Sequence, residues 1–129
     1  MTGEAFLLDT NIIIDLFGND PEIHHKLDNC EFAIPSVVVG ELFYGARASS
    51  RVESRIDEIE RFLNGKRIYS VDRKSSELYG EIKAELRRNG TPIPENDIWI
   101  AALSMQHGLI LSTRDQHFQK VSKLRVEYW

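Results

Sequence analysis

The sequence predicts an α/β fold in three α/β/α layers, with a central, mainly parallel sheet between helices. Three observations carry this. Short apolar runs alternate with longer amphipathic stretches along the chain. Runs such as Ala5–Leu8 and Leu109–Leu111 are continuously apolar, as strands covered on both faces are. The 129 residues contain no linker-like segment and no internal repeat, so a single domain over residues 1–129 is expected.

The elements follow in order. Ala5–Leu8 reads as a buried strand ending at Asp9. Asp9 or Thr10 caps a short helix through Ile12, Ile13 and Leu16, stopped by Gly18. Asp20-Pro21 opens a second helix, with proline in its first turn. Phe32–Ile34 is a strand closed by Pro35, and Ser36 is expected to cap a helix running to about Ala46. Arg51–Leu63 is amphipathic, with Val52, Ile56, Ile59, Phe62 and Leu63 on one stripe. Ile68–Val71 is a third strand. Asp72 caps a long helix to Asn89, with Gly90 as its stop. After the extended Thr91–Pro94 segment, a helix is expected from about Asn96 to His107. Leu109–Leu111 is a fourth strand, residues 115–121 are a turn or short helix, and Arg125–Tyr128 is a fifth strand. In such a sheet, ligands sit beyond the carboxyl ends of the strands.

Composition narrows the function classes. With 42% hydrophobic and 28% charged residues, the chain is an ordinary ordered globule rather than a disordered segment. Its one cysteine, Cys30, excludes an intrachain disulfide and a cysteine-based zinc cluster, and suits a reducing cytoplasm. Glu4 and Asp9 flank the first apolar run with no basic segment before it, so no secretory signal is expected. The longest unbroken apolar stretch, Ile98–Leu103, is too short to cross a bilayer, so no membrane partner is expected. The net charge of −4, taken alone, argues against a nucleic-acid binder.

Four acids resist a plain surface reading. Asp9 ends the first strand, and Asp115 lies just past the fourth. Asp97 sits in the first turn of an apolar helix. Glu41 lies among Val37, Val38 and Leu42, with no Lys or Arg on its own stripe. Singly, Asp9 and Asp97 read as helix caps and Asp115 as a turn residue. Together, two strand ends and two helices can aim four carboxylates at one point. At about 5 Å and an effective dielectric of about 20, each pair repels by roughly 3 kcal/mol. Six such pairs exceed the roughly 5–15 kcal/mol that holds a domain together. Protonation or bound cations must therefore relieve them. An oxygen-only site suits Mg²⁺, with Mn²⁺ as a substitute. One divalent ion takes the net charge from −4 to −2 and two take it to zero, which removes the objection to a phosphate-bearing substrate.

The segments LLDTNIIIDLF, SVVVGELFYGA and PENDIWIAALSMQHGLILSTRDQHF resemble, in order and spacing, the PIN-domain ribonucleases, and among them the VapC type. The resemblance implies a metal-dependent endoribonuclease, the toxin half of a toxin–antitoxin pair, acting on RNA and inhibited by a small VapB-type antitoxin. It implies Asp9, Glu41, Asp97 and Asp115 as the catalytic acids, with Asp9, Asp97 and Asp115 on the metal. Asn11, Ser36 and Thr113 match small polar positions beside them, and Arg114 is expected to meet phosphate. Some relatives carry a further acid where this chain has His117, which is read here as a turn residue or a substrate contact.

Two alternatives set the tests. A catalytically silent module of the same fold would bind RNA or protein and tolerate loss of Asp97. A phosphotransfer enzyme or receiver would need a phosphate loop or a second acid after Asp9, and has neither. The apolar surplus in Ile12, Ile13, Ile14, Leu16, Phe17, Phe43 and Tyr44 leaves core packing, a partner groove and a homodimer face all open. Trp99 is read as packing under its helix, with base stacking as the other role.

Overall fold

The computed structural model describes residues 5–129; Glu4, which entered the reading of the N-terminus, lies outside them. Five strands form one sheet: β1 (Ala5–Leu8), β2 (Glu31–Pro35), β3 (Arg67–Tyr69), β4 (Ile110–Thr113) and β5 (Val126–Tyr128). Their order is β3-β2-β1-β4-β5, and every neighbouring pair is parallel. Parallel neighbours need crossovers, and the helices supply them. They are α1 (Thr10–Phe17), α2 (Pro21–Asp28), α3 (Ser36–Arg47), α4 (Val52–Leu63), α5 (Arg73–Arg88) and α6 (Glu95–Gln106). A 3₁₀ helix, Gln116–Lys120, joins β4 to β5.

The strand order explains where a site must form. The chain steps outward from β1 to β2 to β3, then returns past both to place β4 against the other side of β1. With right-handed crossovers, that reversal puts helices on both faces of the sheet. It also leaves a crevice between the carboxyl ends of β1 and β4, where the connections diverge. Asp9 follows β1 directly, and Asp115 lies two residues beyond β4.

Strand alternation builds the two faces of the core. Leu8 and Ile34 join a large cluster with Ile12, Val38, Ile100 and Phe118, whereas Leu7 and Ala33 pack with Leu103 in a smaller one. Successive residues thus face opposite layers, and Leu7 and Leu8 are both fully buried. Helix α6 is the most enclosed of the helices, with Ile98 and every residue from Ile100 to Ser104 buried. That rigid seating fixes the first turn of α6, which carries Asp97.

Two local expectations are corrected. Pro35, not Ser36, occupies the N-cap of α3, and Ser36 is its first helical residue, so the serine side chain is not the cap. Strand β3 spans Arg67–Tyr69 and stops short of Val71. Its last pairing is Pro35 with Tyr69, and the next residue of β2's chain enters α3, so no backbone remains for Val71 to pair with. Elsewhere the boundaries differ by a residue or two, as frayed ends do.

Candidate metal centre

Asp9 is the best-held acid. Its backbone is extended at the N-cap of α1, and Oδ1 accepts from the Thr10 amide at 2.8 Å. Oδ2 accepts from the Thr113 hydroxyl at 2.7 Å and from Asn11 Nδ2 at 3.3 Å. Asp9 is thus a cap, as one reading held, but it is also a 5% exposed carboxylate beside other acids. Burial pushes its pKa above the ordinary aspartate value. The Thr113 hydroxyl and Thr10 amide pull it back, and the charges of Glu41 and Asp115 push it up again.

Thr113 ties the two central strands together. Fully buried at the end of β4, it donates to Asp9 and accepts from the Asp115 amide at 2.9 Å. One hydroxyl therefore sets Asp9 and the loop bearing Asp115 relative to each other. Asn11 works alongside, with Nδ2 toward Asp9 and Thr113 and Oδ1 accepting from the Arg114 amide at 3.2 Å. Asp115 caps the 3₁₀ helix through the His117 amide at 2.9 Å, so its turn reading also holds.

Asp97 comes from a third element, in the first turn of α6. The cap position there belongs to Pro94, so Asp97 is not the N-cap residue. Its pKa is pushed up to about 6, by burial first and then by the charge of Asp9. The His117 hydrogen bond lowers it, and the Asp115 charge raises it. Glu41 is half-buried on α3, and Oε1 accepts from the Thr10 hydroxyl at 2.9 Å. Its partner is therefore a hydroxyl on α1, not a cation.

Thr113 joins Asp9 to the Asp115 loop, His117 lies between Asp115 and Asp97, and the charges of Asp9 on Asp97 and of Glu41 on Asp9 are close enough to act. Ser36 makes no hydrogen bond to these acids among the described residues. The Arg114 guanidinium, expected toward phosphate, is taken up elsewhere. It donates to Asp15 at 2.8 Å, Asp20 at 3.1 Å and the Trp129 carbonyl at 2.7 Å. Arg114 thereby pins the loop after β4 to the α1–α2 corner and to the residue following β5. His117 is more than a turn residue, because Nδ1 lies 3.1 Å from Asp97 Oδ2 and 3.1 Å from Asp115 Oδ1. Its position two residues beyond Asp115 was the available signal. Trp99 stacks on Tyr79 with centroids 4.0 Å apart, which satisfies the packing reading.

The donor chemistry fits a divalent cation. Hydrogen bonds onto the acids come from hydroxyls, amides and one imidazole, while the nearest guanidinium goes to Asp15 and Asp20. Elevated carboxyl pKa values beside one another mark a cluster short of positive charge. Asp97, Asp115 and His117 present donor atoms all within 4.8 Å of one another.

The model of the family described as PIN domain matches residues 6–124. The chain belongs to the PIN-domain family. Its relatives include Ribonuclease VapC2 of Haemophilus influenzae, 39% identical over 128 residues, with 96% of this chain and 97% of the relative covered. The tRNA(fMet)-specific endonuclease VapC of Shigella flexneri is 35% identical over 128 residues, with the same coverage. Among solved structures, VapBC2 from Rickettsia felis bound to a promoter DNA fragment superposes with a TM-score of 0.91 at 28% identity, covering 97% of this chain and 98% of that one. DNA-bound VapBC from Salmonella typhimurium gives 0.89 at 30% identity, covering 98% and 99%. The PIN domain here therefore has VapC relatives along almost its whole length.

Proposed function

We propose that this PIN domain is a metal-dependent endoribonuclease, the toxin component of a VapBC-type pair, and that Asp9, Glu41, Asp97 and Asp115 form its active site. The observation that supports the site is the chain of contacts beyond β1 and β4, in which Thr113 joins Asp9 to the Asp115 loop and His117 lies between Asp115 and Asp97, with burial and neighbouring carboxylates raising Asp9 and Asp97. Asp9, Asp97 and Asp115 would hold the ion, Mg²⁺ in this reading, with Mn²⁺ able to substitute. When bound, it supplies positive charge against the charge that builds on the scissile phosphate, and it acidifies water.

The chain's own residues do the rest. Thr113 and Asn11 fix the Asp9 carboxylate, so that it need not reorganise as substrate arrives. Glu41, steadied by the Thr10 hydroxyl, takes the proton from the attacking water. Arg114 holds the Asp115 loop in place. The reaction needs no ribose 2′-hydroxyl, so products carry 5′-phosphate and 3′-hydroxyl ends.

A protein partner fits beside the site. Ile14 and Tyr44 are 55% and 75% exposed, and Ile14 lines a groove with Phe17, Leu42 and Ile59 that reaches Glu41. A VapB-type antitoxin covering this groove would bury apolar surface and block the acids at once. A homodimer is the companion reading for the remaining exposed apolar residues. No helix among the described residues is long and apolar enough to cross a membrane. We place the working protein in the cytoplasm, where its RNA substrates are.

The test is cleavage of a structured RNA pool by the purified chain with Mg²⁺, with EDTA, and after Mg²⁺ is restored. Cutting is expected to stop with chelator and return with the ion. Cleavage that ignores EDTA rejects the mechanism. An unchanged growth phenotype for Asp97→Asn would favour the silent-module alternative.

A further inference from the structure

We propose that His117 is a direct metal ligand through Nδ1, and that it turns the site's preference away from Mg²⁺ toward first-row transition ions such as Mn²⁺ and Co²⁺. The inference rests on the metal-centre reading and refines it. Nδ1 lies 3.1 Å from Asp97 Oδ2 and 3.1 Å from Asp115 Oδ1. Donors on adjacent corners of an octahedron with bonds of about 2.1 Å are separated by about 3.0 Å. The three groups therefore already span two edges of such a site. One donor atom from each of the three falls within 4.8 Å of the others, so one ion can reach all three.

The backbone that carries the imidazole is fixed, and the ring's own contacts to Asp97 and Asp115 set its direction. The His117 amide donates to Asp115 Oδ1 at 2.9 Å, which fixes residue 117 against its neighbouring ligand. The next residue, Phe118, is fully buried and anchors the 3₁₀ helix in the core. Asp97 closes the arrangement from α6. The His117 side chain itself is 45% exposed, so an ion and its waters can reach it from solvent.

The consequence lies in donor type. Mg²⁺ prefers oxygen and sheds water reluctantly, whereas imidazole nitrogen adds affinity along the series from Mn²⁺ through Co²⁺. A carboxylate at position 117 would give an all-oxygen, more negative site. Histidine gives a mixed nitrogen and oxygen set with one charge fewer. The same 3.1 Å separations serve as hydrogen bonds when no ion is present, so geometry leaves a purely hydrogen-bonding role as the competitor.

The experiment is calorimetric titration of the full chain with MgCl₂, MnCl₂ and CoCl₂, for the natural sequence, His117→Ala and His117→Asp. Proton NMR of the Co²⁺-loaded protein accompanies it. His117→Ala is expected to weaken Co²⁺ about tenfold, with Mg²⁺ changed by less than about twofold. His117→Asp should tighten Mg²⁺ and narrow the gap between the two ions, and its Mg²⁺ binding reports that the fold survives. The natural chain should show a paramagnetically shifted imidazole resonance that His117→Ala lacks. Equal weakening of both ions, no weakening, or persistence of that resonance in His117→Ala overturns the assignment of His117 alone. Failure of the natural chain to bind any of the three ions overturns the metal-centre reading, and this proposal with it.

Discussion

Replacing Asp97 by asparagine should stabilise the ion-free protein while destroying its activity. Burial, then the charge of Asp9, raises the Asp97 pKa in the folded chain from the ordinary aspartate value of 3.8 to about 6. The folded state therefore holds that proton more tightly than the unfolded chain does. The stability this lends is complete below about pH 4 and is lost as pH rises through about 6. Two pK units correspond to about 3 kcal/mol. Asp97 is 14% exposed at the rim of an open crevice, and solvent screening reduces this to about 1–3 kcal/mol. In EDTA at pH 7.5, Asp97→Asn should thus melt roughly 3–10 °C above the natural chain, and the difference should vanish near pH 4. Saturating Mg²⁺ should raise the melting point of the natural chain by the binding linkage, about 2.7 kcal/mol at a hundredfold excess over Kd. It should raise that of Asp97→Asn far less, and RNA cleavage by the variant should fall by at least about a hundredfold. Differential scanning calorimetry at two pH values, with and without the ion, reads all of this. A variant that melts below the natural chain in EDTA at pH 7.5, or that gains equally from Mg²⁺, contradicts the electrostatic picture of the cluster.

Three further predictions follow from other contacts. Thr113→Val removes the hydroxyl that holds Asp9 and receives the Asp115 amide, leaving that amide short of a partner at about 1–3 kcal/mol; calorimetry should show lower stability and weaker Mg²⁺ binding, with both restored by Thr113→Ser. Arg114→Ala should lower turnover at saturating Mg²⁺ with a smaller change in substrate KM, because the guanidinium holds the loop after β4 through Asp15 and Asp20; a salt-dependent loss confined to KM would return Arg114 to phosphate binding. Phe118→Ala empties a fully buried site and should cost about 3–5 kcal/mol in denaturant unfolding; a loss under 1 kcal/mol would mean that Phe118 does not anchor the 3₁₀ helix.

The fold was legible where local pattern and tertiary role agree. Continuously apolar runs marked β1, β2 and β4 because both faces of the sheet are covered there, as the burial of Leu7, Leu8, Ile34 and Leu111 shows, whereas the edge strands β3 and β5 carry mixed, more exposed runs. Asp9 and Asp115 were legible because each follows an apolar run, at the end of the sheet where ligands gather. Asp97 and Glu41 needed the whole constellation, since a first-turn aspartate or a helical glutamate is commonplace by itself. What escaped was pairing across the chain. Arg114 binds Asp15 and Asp20, which precede it by more than ninety residues, and no local rule foretells that a guanidinium will be diverted there. The Trp129 ring packs edge-on against Phe6 with centroids 5.1 Å apart, and its carbonyl receives Arg114; both contacts arise only once β5 lies beside β4. His117 was visible as a neighbour of Asp115, but its contact with Asp97 depends on how α6 returns to the sheet.

Anomalous diffraction from crystals soaked in Mn²⁺ tests the central claim most directly. The expected result is a strong peak in the crevice between β1 and β4, about 2 Å from carboxylate oxygens of Asp9, Asp97 and Asp115. Well-ordered carboxylates with no peak between them, or a peak only at unrelated surface acids, would contradict it.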